Sequence, residues 1–580
     1  RVAGLVLIAP GVRVGVPLSA ERRSAGPFEE DSGIDEGWAR FNAHSWRRDF
    51  PGFLQFFFEQ VFTEPHSSKP IEDCVGWGLE TDPETLIVHE AAPGVSEQRT
   101  RDLCSRVQCP VLVIHGDEDA ITPHGMGEEL ARLAGGRLVT FSGSGHCPQG
   151  RDPVRTNLEL RAFLGGGQAS SPAWTRARNR PRRALYVSSP IGLGHAWRDV
   201  AIARELRRLV PDLEIDWLAQ DPVTRVLDGA GERIHPMSAE LASESAHFES
   251  ESSDHELHAF QATRRMDEIL LANFMVFHDA MAEGTYDLCI ADEGWDVDHY
   301  LHENPELKRS AYCWLTDFVG WLPMPAGGGR EAALTADYNA EMLEQIDRFP
   351  HVRDRAIFIG EPEDIVPDRF GPGLPGIRDW TVDHYQFAGY VSAFDTGELG
   401  DRDALRAELG YDPDELVCIV TPGGTGVGGG LLRRAIQAFP EAKRRVPALR
   451  MIAVCGPRLD PADMAPAPDG LELRPYVHEL RRHLAACDLA ICHGGLATTM
   501  ELIAARRPFI YFPLAQHFEQ NLHVHYRLQR HGAGRRMEFA GTTADDLAQA
   551  IAEEIGREVD YLPVPDDGAA RAAAMIAELV

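Results

Sequence analysis

Short apolar runs alternate with longer amphipathic stretches in the part of the chain that follows residue 183. The apolar runs are rich in β-branched and aliphatic residues, and the stretches between them have the periodicity of helices. Alternating strands and helices of this kind predict parallel sheets that are covered by helices on both faces. The predicted strands are residues 184–189, 213–219, 288–291, 416–421, 451–455, 489–492 and 509–512.

The alternating pattern stops and restarts around residues 395–401, which divides this part of the chain in two. We therefore predict an α/β fold with two doubly wound, Rossmann-like domains, residues 184–395 and 396–580. Such domains in tandem leave a cleft between them, and ligands bind at the carboxyl ends of parallel strands. The helix after the first strand is expected to begin near Ala196, and the acidic segment 240–258 is expected to be an exposed loop.

A segment of different composition, residues 165–183, precedes these domains. It contains glycine, serine and proline followed by a cluster of arginines, which is typical of a flexible linker with a solubilising basic tether. Residues 1–164 are therefore predicted to form a separate domain. A chain of 580 residues is in any case too long for one hydrophobic core, since domains usually stop growing at about 250 residues.

Composition excludes some classes of partner and location. The net charge of −32 argues against a nucleic-acid partner, because a phosphate backbone would be repelled. No run of about 18 apolar residues occurs, so no segment is predicted to span a membrane. The 10 cysteines are scattered and form no C-x-x-C pair, which favours a reducing, cytoplasmic compartment. Because the chain begins with Arg1 and enters a strand pattern at once, we expect the start of the natural product to be missing.

The most informative motif is H-G-G-L-A-T-T-M-E, which runs from His493 to Glu501 between a predicted strand and a predicted helix. Gly494 and Gly495 let a ligand approach the backbone, and the N–H groups at the start of the following helix suit a pyrophosphate. Thr498 and Glu501 share one helix face, where the hydroxyl could reach phosphate and the carboxylate could bind a ribose diol. The alternative is a tight turn followed by a solvated glutamate, and the set as a whole favours the binding site.

A second glycine-rich loop, residues 421–430, also lies between a strand and a helix. It contains G-x-G-x-x-G at Gly424, Gly426 and Gly429, a pattern found in dinucleotide-binding folds. The next strand ends in residues 454–456, Val-Cys-Gly, without the acidic residue that would hold the ribose of NAD. NAD is therefore not predicted, and the loop is interpreted either as a phosphate-binding loop or as a turn that needs positive φ.

Crowded polar side chains, including Glu519, Gln520 and Asn521, follow the next strand. With His493 and Glu501, the pair Glu519 and Gln520 matches the donor-binding signature of nucleotide-sugar glycosyltransferases of the glycosyltransferase B fold. The chain from about residue 180 onward resembles this family, closest to UDP-glycosyltransferases and the N-acetylglucosaminyl transferase of peptidoglycan synthesis. Asn521 departs from the pattern, because the family's asparagine usually comes a few residues later.

The resemblance implies a reaction and a donor. It implies transfer of a hexosyl group, with inversion, from a nucleotide-diphosphate sugar to a hydroxyl of a small molecule or lipid, without a bound metal or other cofactor. It also implies that the second glycine-rich loop, with Gly424, Thr425 and Gly426, faces the donor phosphates. The family carries a Gly-His pair that faces the acceptor across the cleft, and Gly194 and His195 match that pair.

His195 follows the first predicted strand at its carboxyl end. An imidazole there could take the proton of an acceptor hydroxyl near neutral pH, so His195 is the predicted general base. Asp292 ends another predicted strand and is the best candidate to orient this histidine. Asp296 and Asp298 form a D-x-D, which we interpret as incidental rather than as a metal site.

Two motifs within residues 1–164 follow one another in a distinctive order. Asp119 ends the strand-and-turn motif V-L-V-I-H-G-D-E-D, and His146 ends the loop motif S-G-S-G-H. They resemble the acid and the histidine of the catalytic triad in the C-terminal half of an α/β-hydrolase, which would also carry a helical cap at about residues 36–105. No G-x-S-x-G occurs anywhere in the sequence, so the nucleophile of such a triad is missing from it.

Three functions remain open at this point. The leading hypothesis is a glycosyltransferase with an attached hydrolase part. The second is that ester or amide hydrolysis is the main activity, with a nucleophile upstream of this sequence and a secondary transferase. The third is a binding module in which both parts bind ligands and neither turns them over.

Overall fold

The computed structural model describes residues 2–31, 33–165, 180–392, 401–424, 426–464 and 466–580. The chain divides into two compact units, the first up to Ser171 and the second from Pro172 onward. Most of the predicted linker at 165–183 and the predicted domain boundary at residue 395 lie outside the described residues, so both stay predictions.

The first unit is built on a parallel sheet of three strands, in the order β1-β2-β3. These strands are β1 (Leu5–Ile8), β2 (Val111–Gly116) and β3 (Arg137–Phe141). The central strand β2 is buried along its whole length, which explains its unbroken apolar sequence. The helices of this unit are α1 (Ala20–Arg23), α2 (Ala43–Arg48), α3 (Phe50–Val61), α4 (Ser68–Gly78), α5 (Pro83–Glu90), α6 (Glu97–Cys104), α7 (His124–Ala134), α8 (Pro148–Arg151) and α9 (Pro153–Gly165).

The second unit begins with a parallel sheet of seven strands, in the order β12-β11-β10-β9-β4-β5-β6. The strands are β4 (Arg183–Ser188), β5 (Glu214–Leu218), β6 (Arg233–Ile234), β9 (Leu288–Asp292), β10 (Ala311–Thr316), β11 (Arg355–Phe358) and β12 (Gln386–Phe387), and β7 (Ser252–Ser253) and β8 (Glu256–Leu257) form a separate hairpin. The helices are α10 (Leu193–Leu209), α11 (Val223–Gly229), α12 (Glu244–Ser250), α13 (Ala259–Arg264), α14 (Asp267–Glu283), α15 (Trp295–Glu303), α16 (Gly328–Arg348) and α17 (Ile377–His384).

A second parallel sheet of six strands follows, in the order β15-β14-β13-β16-β17-β18. The strands are β13 (Leu416–Thr421), β14 (Leu449–Val454), β15 (Leu471–Arg474), β16 (Leu489–Cys492), β17 (Phe509–Tyr511) and β18 (Arg535–Arg536). The helices are α18 (Arg402–Glu408), α19 (Gly429–Arg445), α20 (Leu480–Ala486), α21 (Leu496–Ala504), α22 (His525–His531), α23 (Ala544–Glu554) and α24 (Gly568–Ala577), with a π-helical turn at Glu519–Val524. The predicted α/β class with two parallel, helix-covered sheets is confirmed.

The two sheets of the second unit share one apolar core. Its fully buried members include Tyr186 and Ile290 under the first sheet and Ile419 under the second. The last helix, α24, packs against α10, so the end of the chain returns to the side of the first sheet. This shared core holds the carboxyl ends of β4, β9, β13 and β16 around a common space.

Two predictions of local structure are wrong. The helix expected to begin near Ala196 begins at Leu193, so His195 lies in its first turn rather than in the preceding loop. The segment 240–258 is not an exposed loop, because it contains α12 and the hairpin, and Glu244 is 6% exposed. Its polar side chains meet partners that lie far away in sequence, which composition alone does not reveal. Within the described ranges, no helix combines the length and apolar character needed to cross a membrane.

Candidate active site

A cavity of about 220 Å³ lies between the carboxyl edges of the two sheets of the second unit. Parallel sheets bind ligands at this edge, because the loops that follow their strands converge there. Most of the predicted site residues contribute to its lining. The polar and glycine residues that line it include His195, Arg198, Asp317, Gly424, Tyr476, His478, Arg481, His493, Gly495, Thr498, Glu501, His517, Glu519 and Gln520.

His195 and Asp292 lie side by side at the edge of the first sheet. Asp292 is the last residue of β9 and is completely buried, and its Oδ2 lies 3.0 Å from His195 Nδ1. His195 lines the cavity from the first turn of α10. If Nδ1–H donates to Asp292, then Nε2 is the nitrogen left to accept a proton.

Arg198 lies one turn along α10 and binds both carboxylates that surround the histidine. Its Nε donates to Asp292 Oδ2 at 2.9 Å, and its two terminal nitrogens pair with Asp292 Oδ1 and Asp317 Oδ2. Arg198 Nη2 also lies 2.8 Å from His195 Nδ1. A guanidinium can only donate and an ionised carboxylate can only accept, so the two contacts require opposite protonation of this nitrogen. Asp292 Oδ2 can bond Nδ1 only if that nitrogen carries a proton, whereas Nη2 keeps its bond to Asp292 Oδ1 in either case. We therefore assign the Nδ1 proton to the bond with Asp292.

These contacts control the acid–base properties of the pair. Burial would raise the pKa of Asp292, but Arg198 and His195 hold it well below its ordinary value. Burial and Arg198 lower the pKa of His195, whereas Asp292 and Glu293 raise it, and the net shift is upward. The result is an ionised carboxylate beside a histidine that is more basic than usual.

Two further carboxyl groups belong to this region: Glu293 lies beside the histidine, and Glu519 lines the same cavity. Glu293 directly follows Asp292 with a positive φ of 49°, and its Oε2 lies 4.0 Å from His195 Nε2. Its Oε1 accepts hydrogen bonds from Thr316 Oγ1 and the backbone N–H of Asp317, both at 3.2 Å. Burial and the Asp317 carboxylate raise the pKa of Glu293 to about 8, and the same two causes raise the pKa of Glu519 to about 8. Both groups therefore carry a proton for much of the time at neutral pH.

One set of side chains among the described residues could approach a single metal ion. Ligand atoms of His195, Glu293 and Asp317 all lie within 4.8 Å of one another. The guanidinium of Arg198 already pairs with Asp317 and lies 4.0 Å from Glu293. Arg198 thus supplies a positive charge at this place, and the absence of a bound metal stays a prediction.

The D-x-D lies on the first turn of α15, outside the lining of the cavity. Asp298 accepts a hydrogen bond from Arg353 Nε at 2.8 Å and one from the Tyr312 hydroxyl at 3.3 Å. Burial raises the pKa of Asp296 to about 6. These contacts support a structural role for Asp298 in a buried ion pair, as expected for an incidental motif.

The His493–Glu501 motif forms the loop after β16 and the first turns of α21. Gly494 has a φ of 90°, and a Cβ added there would lie 2.9 Å from the ring of Tyr511, so this position requires glycine. Gly495 is the N-cap residue of α21, and no described side chain caps this helix. The first N–H groups of α21 are therefore available to an anion in the cavity.

The first turn of α10 and the first turn of α21 touch. A Cβ added to Gly194 would lie 2.1 Å from the Cβ of Ala497, so only glycine allows the two helices to approach this closely. Gly194 precedes His195, and Ala497 precedes Thr498. The residue after each contact point is thus a predicted site residue.

Two of the predicted donor residues have perturbed pKa values, His493, which is buried, and Glu501, which is half-buried. His493 is 3% exposed and its Nε2 has no hydrogen-bond partner within the described part of the chain. Burial, together with His255 and His517, lowers the pKa of His493 well below its ordinary value, so the ring is neutral. Burial raises the pKa of Glu501 to about 7 in spite of the nearby Arg481. A polar ligand would supply the hydrogen-bond partner that His493 Nε2 lacks.

The side chains that follow β17 differ in how many of their polar atoms already form hydrogen bonds within the protein. Gln520 Oε1 accepts a hydrogen bond from the backbone N–H of Leu514 at 3.0 Å, so its amide NH₂ is the part left for a ligand. Asn521 donates to Leu514 O at 2.8 Å and accepts from Arg536 at 2.9 Å, which makes it a structural residue. Glu519 and Gln520 open the π-helical turn, a distortion that is frequent at functional sites.

The second glycine-rich loop lies opposite α10. A Cβ on Gly424 would lie 2.8 Å from Leu193 Cγ, which explains the glycine at this position. Gly426 does not line the cavity, and its N–H donates to Glu249 Oε1 at 2.9 Å. Thr425, which was also predicted to bind the donor, lies outside the described residues.

Several lining residues are absent from the sequence prediction. Asp317 directly follows β10, so the rule that located Asp292 could have located it too. Arg198 is three residues after His195 and lies on the same helix face, which is a spacing visible in the sequence. Tyr476 and Arg481 line the cavity from the segment after β15, for which no motif was available.

The first unit contains a second histidine–aspartate pair. Asp119 Oδ2 lies 2.8 Å from His146 Nδ1, and the Asp119 side chain is completely buried. Asp119 also accepts hydrogen bonds from the backbone N–H groups of Ile121 and Thr122, at 2.7 and 2.8 Å. Burial would raise the pKa of Asp119, but His115 and His146 hold it well below its ordinary value. The pair has the geometry of the acid and histidine of a hydrolytic triad.

Comparisons with known proteins agree with both parts of this description. A model of the glycosyltransferase family 28 C-terminal domain matches residues 418–577, and a model of the alpha/beta hydrolase family matches residues 1–160. An uncharacterized glycosyltransferase of Methanopyrus kandleri is 30% identical over 181 residues, which cover 31% of this chain and 50% of that protein. The two resemblances predicted from the sequence are thereby confirmed.

The name of a second relative states an activity. The UDP-N-acetylglucosamine--N-acetylmuramyl-(pentapeptide) pyrophosphoryl-undecaprenol N-acetylglucosamine transferase of Mycolicibacterium smegmatis is 33% identical over 182 residues, 30% of this chain and 45% of that protein. The calicheamicin glycosyltransferase CalG4 aligns with 69% of this chain and 94% of its own, at 16% identity and a TM-score of 0.43. The chain spans half or less of the length of the curated relatives described here.

Proposed function

We propose that the second unit transfers a hexosyl group from a nucleotide-diphosphate sugar to a hydroxyl of a small-molecule or lipid acceptor. The observation that carries this proposal is the arrangement around one cavity. His195, backed by Asp292, lines it from the first sheet, and the uncapped N-terminus of α21 lines it from the second. A base and an anion-binding helix end facing one space are what an in-line transfer requires.

The proposed reaction uses these groups in one displacement. The acceptor oxygen attacks the anomeric carbon while its proton passes to His195 Nε2, and the bond from that carbon to the diphosphate breaks. Asp292 stabilises the imidazolium that forms. The N–H groups of α21 stabilise the negative charge that develops on the leaving diphosphate. Attack opposite the leaving group inverts the anomeric centre, and no cofactor enters the reaction.

The donor contacts follow from the same cavity. Thr498 lies on the first turns of α21, within reach of phosphate, and Glu501 lines the cavity one turn further on, where it would bind the ribose diol. Glu519 and the amide NH₂ of Gln520 are the proposed contacts of the sugar. The matched family model over residues 418–577 includes all four positions and supports this assignment.

A panel of nucleotide sugars in a thermal-shift assay tests the proposal. Selective stabilisation by one donor, reduced in a Glu501→Ala variant, is the expected result. If no nucleotide sugar raises the melting temperature, the binding-module and hydrolase hypotheses take precedence.

All ten cysteines of the chain are free, which supports the proposal of a reducing, cytoplasmic compartment.

Hydrolysis by the first unit is the second candidate function. The Asp119–His146 pair favours it, together with the alpha/beta hydrolase match over residues 1–160. The printed sequence supplies no G-x-S-x-G nucleophile. Assay of a chain extended by the upstream coding sequence, against a matched His146→Ala variant, tests this candidate.

A further inference from the structure

The segment from α12 to the hairpin β7–β8 crosses from the first sheet to the donor loops of the second. The backbone N–H of Leu257 donates to Ala515 O, and the N–H of Ala515 donates to His255 O, both at 3.0 Å. The ring of His255 stacks on Phe539 at a centroid distance of 3.9 Å. These contacts hold the segment against the loop that precedes Glu519.

Glu249, on the last turn of α12, places its carboxylate inside the second glycine-rich loop. Its Oε1 accepts the hydrogen bond from the N–H of Gly426 at 2.9 Å and forms an ion pair with Arg458 Nε. A Cβ added to Gly426 would lie 2.7 Å from the Glu249 carboxyl carbon. The backbone of the loop at Gly426 therefore lies directly against this carboxylate.

The two groups that bind Glu249, the N–H of Gly426 and the guanidinium of Arg458, are of the kinds that bind phosphate. The loop leads into α19, whose N-terminus has no described side-chain cap, and such a helix start binds anions through its backbone N–H groups and its dipole. Arg458 follows residues 456 and 457, which line the cavity. A guanidinium and a backbone N–H recognise carboxylate and phosphate oxygens in the same way.

The acidic lining of the cavity repels a diphosphate, so the Gly426 N–H and the Arg458 guanidinium would contribute to its binding. Asp317, Glu501 and Glu519 all line it, and each repels an anion when ionised. The charge of Arg198 is already balanced by Asp292 and Asp317. Arg458 is held by Glu249 and lies 3.8 Å from Asp221. Release of Glu249 would leave an N–H group and a guanidinium beside the donor site.

We infer that Glu249 is an internal substitute for a donor phosphate group. When a nucleoside diphosphate binds, it displaces the Glu249 carboxylate and takes over the N–H of Gly426 and the guanidinium of Arg458. The inference rests on the proposed function, because it presupposes a diphosphate in this cavity. Glu249 then lowers donor affinity in the free protein and favours release of the product diphosphate.

The test compares Glu249→Gln with Glu251→Gln in the full chain. Both substitutions remove one negative charge near the end of α12, but Glu251 pairs with Arg265 and forms no hydrogen bond or ion pair with the described residues of the glycine-rich loop. Calorimetry with UDP, TDP and uridine gives the affinities. We expect Glu249→Gln to bind the diphosphates about tenfold more tightly than wild type, with uridine affinity unchanged, because only a phosphate competes with the carboxylate.

Further variants separate the possible outcomes. Arg458→Met should weaken diphosphate binding in wild type and abolish the gain of Glu249→Gln, and Glu249→Ala repeats the measurement if the glutamine variant does not fold. Equal diphosphate affinity in wild type, Glu249→Gln and Glu249→Ala would overturn the inference and leave the proposed function standing. If wild type and all variants bind neither diphosphate, the proposed function fails and the inference fails with it.

Discussion

The chain contains two histidine–aspartate pairs of nearly equal geometry in two different units. The Nδ1–Oδ2 distance is 3.0 Å for His195 and Asp292 and 2.8 Å for His146 and Asp119, and both carboxylates are completely buried. Asp119 is bound by backbone N–H groups, a hydroxyl and a second histidine, whereas Asp292 is bound by the guanidinium of Arg198. The pairs therefore differ in what compensates the buried carboxylate.

A histidine hydrogen-bonded to a buried aspartate therefore does not by itself indicate which reaction a site supports. Hydrogen bonds around Asp119 fix an orientation, which suits a histidine that serves a neighbouring nucleophile. Arg198 instead opposes the effect of Asp292 on the pKa of His195. His195 lines a cavity that also contains the N-terminus of α21, an arrangement that fits the proposed transfer of a proton from a bound hydroxyl.

The largest expected contrast between the pairs is in ester hydrolysis. A protein of the printed sequence should hydrolyse p-nitrophenyl acetate no faster than its His146→Ala variant, because it contains no G-x-S-x-G nucleophile. Loss of a triad nucleophile lowers turnover about a million-fold. Initial rates of p-nitrophenolate release check this expectation. Activity that disappears in His146→Ala or Asp119→Ala would show that another nucleophile serves this pair.

The next contrast is in sugar transfer. His195→Ala should lower turnover about 100- to 10,000-fold, the range of general-base catalysis, and leave donor affinity nearly unchanged. Asp292→Asn should cost the same or less. Release of nucleoside diphosphate in the presence of acceptor is the measurement, and His146→Ala is the matched control in the other pair. Retention of most turnover by His195→Ala would remove this residue from the role of base.

A smaller effect is expected from a substitution at the proposed donor site, on the opposite side of the cavity from His195. Glu501→Ala should weaken binding of a nucleoside diphosphate by about 1.5–3 kcal/mol, the scale of a hydrogen bond to a charged group. Calorimetry with UDP or TDP measures the change. The control is Glu408→Ala, which removes an exposed glutamate that pairs with Arg482. Unchanged affinity in both Glu501→Ala and His493→Ala would place the nucleotide elsewhere.

The smallest expected effect concerns pH. Transfer needs His195 unprotonated, so the rate should rise with pH through a pKa above the ordinary histidine value, since the pKa of His195 is raised. Glu293→Gln removes the ionised fraction of a carboxyl group that raises the pKa of His195, so the acid limb should move to lower pH. The change in rate at any one pH should be less than about tenfold, because Glu293 is ionised only in part. Profiles of kcat against pH for both proteins test this, and an unmoved acid limb would mean that Glu293 does not act on His195.

The sheets were predictable because their strands are buried on both faces. Residues 416–421 and 489–492 were predicted as strands and coincide with β13 and β16. Such strands are continuous apolar runs, and the predicted site residues stand at or shortly after their carboxyl ends. Asp292 and the motif from His493 to Glu501 were therefore found from local sequence.

The remaining site features depend on contacts between distant parts of the chain. Glu249 and Gly426 are 177 residues apart, and no local pattern connects them. The polar composition of residues 240–258 suggested exposure to solvent, but several of these side chains are buried against partners from elsewhere. The positions of Arg198 and Asp317 were visible in the sequence, but their ion pair, which joins helix α10 to the end of β10, was not.

The contact between Gly194 and Ala497 has a consequence for the precision of the site. Because the neighbours of these two residues are His195 and Thr498, the proposed base and the proposed phosphate-binding helix are aligned by direct contact rather than through the length of two sheets. Errors of position do not accumulate along such a short path, and a displacement of about 1 Å can cost about a hundredfold in rate. The lack of a side chain at Gly194 thus sets the distance between the proposed base on α10 and the proposed phosphate-binding N-terminus of α21.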